Sequence, residues 1–181
     1  IANVEVVTVT PSSVGMKVDL SAQTDGFVIN TVTSGSNTVS IIGSAGSDSI
    51  TGLALNDTIN GSDGNDTISG GTAGDDELTG GEGDDTFSFT LGANSTGTTT
   101  ITDFGLGADK FAGTFAGESQ LNLTNSDSSS IVTDLSKVLG ASGIAQITGG
   151  AGADTIHATS GTVSVADLGN GADIITVAAS T

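Results

Sequence analysis

The sequence predicts an all-β fold: a parallel β-solenoid, or β-roll, with one short capping helix. A nine-residue repeat begins at Gly43, segments rich in β-branched residues flank it, and only 3% of the residues are aromatic. So few large side chains leave little material for a conventional core, and stacked repeats must therefore supply much of the stability. The 181 residues suffice for one domain, or one and a half.

Composition excludes several classes of function. The chain has 21 acidic and 3 basic side chains and a net charge of −18, so nucleic acid is not an expected partner. Because no stretch approaches the roughly 18 apolar residues of a spanning helix, membrane insertion is not expected either. The absence of Cys excludes disulfides and thiolate metal sites.

The repeat comprises five consecutive segments, four of nine residues and one of ten, in which an Asp stands two positions before an apolar residue. The segments are 43–51, 52–60, 61–69, 70–79 and 80–88, and their pairs are Asp48/Ile50, Asp57/Ile59, Asp66/Ile68, Asp76/Leu78 and Asp85/Phe87. Two later copies, 149–157 and 168–176, carry Asp154/Ile156 and Asp173/Ile175.

This spacing brings carboxylates together. A glycine-rich run such as 61–66 reaches positive φ and forms a tight turn, and the next three residues form a short strand with one inward side chain. Two nonapeptides then make one coil, and equivalent turns stack at roughly 4.8 Å. One edge therefore collects Asp48, Asp66 and Asp85, and the other collects Asp57 and Asp76.

Carboxylates so close together need a cation. At about 5 Å and an effective dielectric constant near 20, each pair repels by about 3 kcal/mol. Carboxylates and turn carbonyls supply the oxygen ligands of calcium, whereas magnesium requires a tighter octahedron. Zinc and iron are disfavoured because Cys is absent and His157 is the single imidazole.

We therefore expect several Ca²⁺ ions, bridging Asp48–Asp66, Asp66–Asp85, Asp57–Asp76 and Asp154–Asp173. The alternative is that the acids merely hydrate the turns, because Asp is a common turn residue. That interpretation is preferred for the acids that lie outside the period, which are Asp63, Asp75, Glu77, Glu82 and Asp84.

The segments resemble the RTX nonapeptide G-G-x-G-x-D-x-U-x, whose family builds calcium-binding parallel β-rolls. In 52–60, Leu53 and Leu55 stand where the motif has turn glycines. The piece ITDFGLGADKF (101–111) resembles the segment that closes many RTX rolls. This likeness implies Asp103 and Asp109 as further ligands, with Phe104 and Phe111 plugging the open end of the core, although a simple hairpin remains the alternative.

The flanks complete the predicted architecture. Residues 1–42 read as strands, either as coils of the same solenoid without calcium turns or as a small capping sheet. Apolar spacing and Gly140 predict a helix within 126–140, and 145–179 suggests about two further coils. The predicted divisions are 1–42 (solenoid start), 43–111 (calcium roll with its closing segment) and 112–181 (helix-containing connection and second short roll).

No catalytic function is expected, because H-E-x-x-H and G-x-S-x-G motifs are absent. With the composition, the RTX resemblance implies an extracellular bacterial structural protein, exported by a type I system, that polymerises with itself into a surface layer or filament. Strand 3–10 is a candidate for donation between subunits. A cell-surface polysaccharide is a further candidate partner. The alternative is a non-catalytic adhesion or secretion module of a larger secreted protein.

Overall fold

The structure is a computed structural model of the 181-residue chain. It describes residues 5–9, 15–31, 37–90, 98–104, 109–114, 120–124, 132–134, 144–148, 152–158 and 162–177. The secondary structure in these ranges consists of β-strands. The described ranges contain no helix, and thus no helix that could cross a membrane.

The described ranges contain seventeen strands. They are β1 (Glu5–Val9), β2 (Met16–Asp19), β3 (Phe27–Thr31), β4 (Val39–Ile42), β5 (Ser49–Thr51), β6 (Thr58–Asp63), β7 (Thr67–Ser69), β8 (Asp76–Glu82), β9 (Thr86–Thr90), β10 (Thr98–Ile101), β11 (Lys110–Thr114), β12 (Gln120–Thr124), β13 (Val132–Asp134), β14 (Ile144–Thr148), β15 (Thr155–Ala158), β16 (Thr162–Asp167) and β17 (Ile174–Val177).

The strands form a β-solenoid, which confirms the predicted fold class. Odd-numbered strands β1 to β11 form a six-stranded sheet, even-numbered strands β2 to β16 form an eight-stranded sheet, and β13, β15 and β17 form a third sheet. Every pairing is parallel and joins a strand to the next-but-one strand of the chain, for example β5 to β7. Strands β1 to β4 belong to the same two sheets as the repeat strands, so the N-terminal segment is solenoid rather than a separate cap.

The core consists of two stacked rows of apolar side chains, one from each large sheet. In a three-residue strand such as β7, Thr67 is exposed and Ile68 is buried, because alternate side chains of a strand face opposite sides. Partners in register repeat this pattern along each sheet, at no more than 1% exposure. The rows are Ile29, Ile50, Ile68 and Phe87 in one sheet, and Ile41, Ile59, Leu78 and Ile101 in the other.

One detail of the prediction is wrong. Val132–Asp134 is strand β13, paired with β15, so 126–140 is not a continuous helix, and the rest of that range lies outside the described residues.

The segment at 101–111 runs into β11, the last strand of the six-stranded sheet, whereas β12, β14 and β16 continue the eight-stranded sheet beyond it. That this segment closes the calcium roll stays a prediction. Phe104 is a core residue, 1% exposed, whose ring centroid lies 6.0 Å from that of Phe87. The Phe111 side chain is outside the described part.

Candidate metal centre

The aspartates of the repeat are buried, which is unusual for turn carboxylates. The side chains of Asp48, Asp57, Asp66, Asp76, Asp85 and Asp154 are at most 6% exposed. The acids outside the period, among them Asp63 and Glu82, are exposed. Hydration of the turns therefore accounts for the non-periodic acids but not for the buried ones, because a buried carboxylate needs hydrogen bonds, a proton or a cation.

Backbone hydrogen bonds arrange these aspartates into rows. The Asp48 N–H donates to Asp66 Oδ1 at 2.8 Å, and the Asp66 N–H donates to Asp85 Oδ1 at the same distance. The Asp85 N–H donates to Asp109 Oδ1 at 2.9 Å, so Asp109 extends this first row. Each Asp thus holds its own coil against the preceding one.

Shorter rows form elsewhere. The Asp57 N–H donates to Asp76 Oδ1 at 2.9 Å on the other edge, and the Asp154 N–H donates to Asp173 Oδ1 at 3.1 Å in the later repeats. The structure therefore places the two aspartates of every predicted pair on adjacent coils, joined by a hydrogen bond from the backbone of one to the carboxylate of the other. Whether calcium bridges them stays a prediction.

The first glycine of each repeat makes room for the carboxylate. A Cβ at Gly61 would overlap Asp66 Oδ2, and a Cβ at Gly80 would overlap Asp85 Oδ2. The Gly and the Asp that follows it by five residues, or by six in the ten-residue repeat, therefore form one steric unit. This explains why the motif requires both residue types at that spacing.

Two carboxylate oxygens in the first row lack a partner. Asp66 Oδ2 and Asp85 Oδ2 are buried and accept no hydrogen bond. Burial raises the pKa of both carboxyl groups to about 7, and neighbouring acids, including Asp48 for Asp66 and Asp109 for Asp85, add to the shift. Burial also raises the pKa of Asp57. At neutral pH each orphaned oxygen therefore requires a proton or a cation.

The residues of this row fit calcium. Among the described residues no three acidic or histidine side chains converge on one point, so a metal here would take two carboxylates and complete its shell with carbonyl oxygens of the turns. An all-oxygen set that includes backbone carbonyls suits Ca²⁺ better than Zn²⁺ or Mg²⁺. Asp66 and Asp85 are the residues that would hold it.

Asp103 is engaged differently. Its Oδ1 accepts from the Gly80 N–H at 2.9 Å and its Oδ2 from the Gly81 N–H at 2.7 Å. Earlier in the solenoid, comparable N–H groups donate to strand carbonyls, as Gly52 N–H does to Ser69 O. The Asp103 carboxylate thus takes the place of a carbonyl where the chain leaves β10.

An outer ladder of side chains was missed by sequence reasoning. Asn65 Oδ1 accepts from the Asp84 N–H at 2.9 Å, and Asn56 Oδ1 accepts from the Asp75 N–H at 3.0 Å. The residue before the buried Asp therefore bonds to the following coil, while the Asp bonds to the preceding one. The Asn-Asp pairs at 56–57 and 65–66 are the signal that could have revealed this ladder.

Comparison with known proteins bears on the same residues. The family model of the RTX calcium-binding nonapeptide repeat matches residues 42–72, 71–95 and 139–162. These ranges contain Asp48, Asp57, Asp66, Asp76, Asp85 and Asp154. No curated protein and no solved structure matches the chain significantly. Residues 42–95 and 139–162 therefore carry repeats of the RTX calcium-binding nonapeptide type, within a chain built as a β-solenoid.

Proposed function

We propose that this chain is a calcium-dependent extracellular structural protein that assembles with copies of itself into a surface layer or filament on a bacterial cell. The observation that carries the calcium dependence is the pair of buried, orphaned oxygens on Asp66 and Asp85. An ion that binds only the folded state stabilises that state by mass action. Each strand contributes only one apolar side chain to the core rows, so burial alone stabilises the fold weakly. Bound ions therefore decide whether the solenoid folds.

Calcium-dependent folding is consistent with an extracellular location of the protein. RTX repeats typically occur in proteins exported by type I secretion, and the repeat is generally a non-catalytic module. Calcium sites of extracellular modules have dissociation constants of about 10⁻⁴–10⁻³ M, so they fill outside the cell and stay empty in the cytosol. The net charge of −18 then keeps the metal-free chain expanded before export.

Exposed apolar side chains on outer strands support self-assembly. Val6 in β1 is 62% exposed, and Ile174 and Ile175 in β17 are 56% and 43% exposed. Strand β1 pairs with β3 of its own chain, and within the described residues its other edge has no neighbour. An open parallel edge with apolar side chains favours pairing with another chain, so strand 3–10 would contribute this edge to a neighbouring copy.

The test measures the fold and the size of the full chain at pH 8, where Asp66 and Asp85 are not held by protons, in 5 mM Ca²⁺, in 5 mM Mg²⁺ and in EDTA. Circular dichroism is expected to show β structure in calcium alone, and light scattering and electron microscopy to show polymers that dissolve in EDTA and reform with calcium. A stable β fold in EDTA would overturn the calcium dependence. A calcium-loaded chain that stays monomeric at high concentration would overturn self-assembly and favour the adhesion or secretion module.

A further inference from the structure

The repeat contains two turn conformations that its sequence motif does not distinguish. We name the turns at 43–48 and 52–57 self-capped turns, because the second residue of each donates its N–H to the aspartate of the same turn. The Ser44 N–H donates to Asp48 Oδ2 at 2.6 Å, and the Leu53 N–H donates to Asp57 Oδ2 at 2.5 Å.

The turns at 61–66, 70–76 and 80–85 are named inverted turns, because their second residue has a positive φ. The values are 83° at Ser62, 116° at Gly71 and 106° at Gly81, and no second residue of a self-capped turn has a positive φ. In inverted turns the second N–H bonds elsewhere. The acceptors are Asn60 Oδ1 for Ser62, Ser69 Oγ for Gly71 and Asp103 Oδ2 for Gly81.

The two turn types differ in how the carboxylate is hydrogen-bonded in the first row. In the self-capped turns, Asp48 Oδ1 accepts from the Phe27 N–H at 2.6 Å, and Ser44 Oγ lies 3.0 and 3.1 Å from its two oxygens. Asp57 Oδ1 accepts from the Val39 N–H at 2.8 Å. Both carboxylates therefore have a donor on each oxygen.

In the inverted turns of the first row the second donor is missing. Asp66 Oδ1 and Asp85 Oδ1 each accept a backbone N–H of a neighbouring coil, but their Oδ2 atoms accept nothing. A cation approaching Asp48 or Asp57 would have to displace an N–H whose positive end already points at the oxygen. At Asp66 and Asp85 the buried Oδ2 atom has a lone pair that no donor occupies.

We propose that calcium binds the inverted turns of the first row and not the self-capped turns, with Asp66–Asp85 as the principal site. This rests on the proposed calcium function and narrows the predicted set, because Asp48–Asp66 and Asp57–Asp76 each include one self-capped turn. The self-capped turns begin both rows, directly after coils that carry Phe27 and Val39 at the equivalent position. They are metal-independent starting turns on which the calcium-bound turns stack.

The sequence causes differ between the two self-capped turns. In 52–57, Leu53 and Leu55 occupy the positions that are Ser62 and Gly64 in the inverted turn 61–66, and branched side chains disfavour positive φ. In 43–48, Gly46 is present but has no positive φ, and the Ser44 hydroxyl lies against the carboxylate. Glycine content therefore permits inversion without imposing it.

The experiment counts calcium ions per full-length chain by equilibrium dialysis with metal analysis, and checks folding by circular dichroism in calcium. Asp66→Asn and Asp85→Asn are expected to lose at least one ion, whereas the matched variants Asp48→Asn and Asp57→Asn keep the wild-type count. The double variant Leu53→Gly/Leu55→Gly, which lets the second turn invert, is expected to gain one ion. Because this variant gains binding, the test survives if the Asp66→Asn or Asp85→Asn chains fail to fold.

The outcomes separate this proposal from the broader one. A wild-type chain that binds no calcium overturns the proposed function itself. A wild-type chain that binds calcium but loses as many ions through Asp48→Asn and Asp57→Asn as through Asp66→Asn overturns only the division into two turn types. In calcium-soaked crystals, anomalous scattering should locate an ion within about 2.3–2.6 Å of Asp66 or Asp85 oxygens. An ion at that distance from Asp48 or Asp57 would contradict the proposal.

Discussion

At the scale of single residues, Ser62 carries a conformational cost. Among the described residues it is the one non-glycine with a positive φ, at 83°. A left-handed conformation costs an L-residue roughly 1–2 kcal/mol, since Cβ crowds the following carbonyl. The equivalent second positions of the other inverted turns, 71 and 81, are both glycine.

Ser62→Gly is therefore expected to raise the free energy of unfolding by about 0.5–1 kcal/mol, because glycine removes the steric cost at this φ. Denaturant unfolding at a fixed, saturating calcium concentration measures the change. The control is Thr67→Gly in strand β7, whose side chain is exposed. There glycine adds freedom to the unfolded chain and should destabilise by about 0.5–1 kcal/mol. A destabilised Ser62→Gly chain would contradict the argument.

Residue spacing predicted the rows well where coils have regular length. Asp48, Asp66 and Asp85 lie 18 and 19 residues apart and stack as expected. Asp109 follows Asp85 by 24 residues, so spacing alone did not place it in the row, although the RTX resemblance marked it as a ligand. The two turn conformations were not predictable from residue type, because glycine allows either sign of φ at Gly46 and Ser62 adopts a positive φ that serine disfavours.

At the scale of elements, each short strand contributes one side chain to the core. Strand β7 buries Ile68 completely and leaves Thr67 exposed. Ile68 lies in register between Ile50 and Phe87, so it packs against the coil on either side. A strand of only three residues is stable here because the strands on either side form its backbone hydrogen bonds and pack against Ile68.

Ile68→Ala is expected to lower the free energy of unfolding by about 2–5 kcal/mol, because it leaves a cavity between two coils. Thr67→Ala on the same strand faces water and should change it by less than about 0.5 kcal/mol. Both are measured by denaturant unfolding in calcium. Equal effects of the two substitutions would show that the row of apolar side chains is not the core.

Strands in the repeat were predictable, whereas the element at 126–140 was not. The apolar residues 131, 132, 135, 138 and 139 match a helical period, yet Val132–Asp134 pairs with β15 in parallel register. Hydrogen bonds from a neighbouring coil outweigh local periodicity, and one sequence window cannot show that neighbour.

At the scale of the whole molecule, burying the charged carboxylates of Asp66 and Asp85 destabilises the fold until a cation or a proton neutralises them. Asp66 and Asp85 have a pKa of about 7 in the folded, metal-free state, above the ordinary value of 3.8. The folded state therefore binds more protons than the unfolded state between these values. The free energy of unfolding consequently falls as pH rises through that window.

In EDTA, a larger fraction of the chain is thus expected to be folded at pH 5 than at pH 8, and saturating calcium should remove most of this difference because the ion replaces the protons. Circular dichroism at the two pH values, with and without calcium, measures the folded fraction. Both pH values lie above the pI of about 4.1, which limits precipitation. Asp66→Asn/Asp85→Asn is the control and should show a smaller pH dependence in EDTA. A metal-free chain that is stabler at pH 8 would contradict the assigned pKa shifts.

Near-identical repeats could pair with the wrong neighbouring coil. The hydrogen bonds of the Asn and Asp side chains at the turns favour pairing with the adjacent coil. Asn65 Oδ1 accepts from the Asp84 N–H of the following coil, and Asp66 Oδ1 accepts from the Asp48 N–H of the preceding coil. The coil that carries Asn65 and Asp66 is therefore hydrogen-bonded to both adjacent coils through these side chains. Two nonapeptides make one coil, so the gain or loss of two would keep every later strand in its own sheet and preserve these contacts. The gain or loss of one nonapeptide would move every later strand to the opposite sheet. Length can therefore change in whole windings while the architecture stays the same.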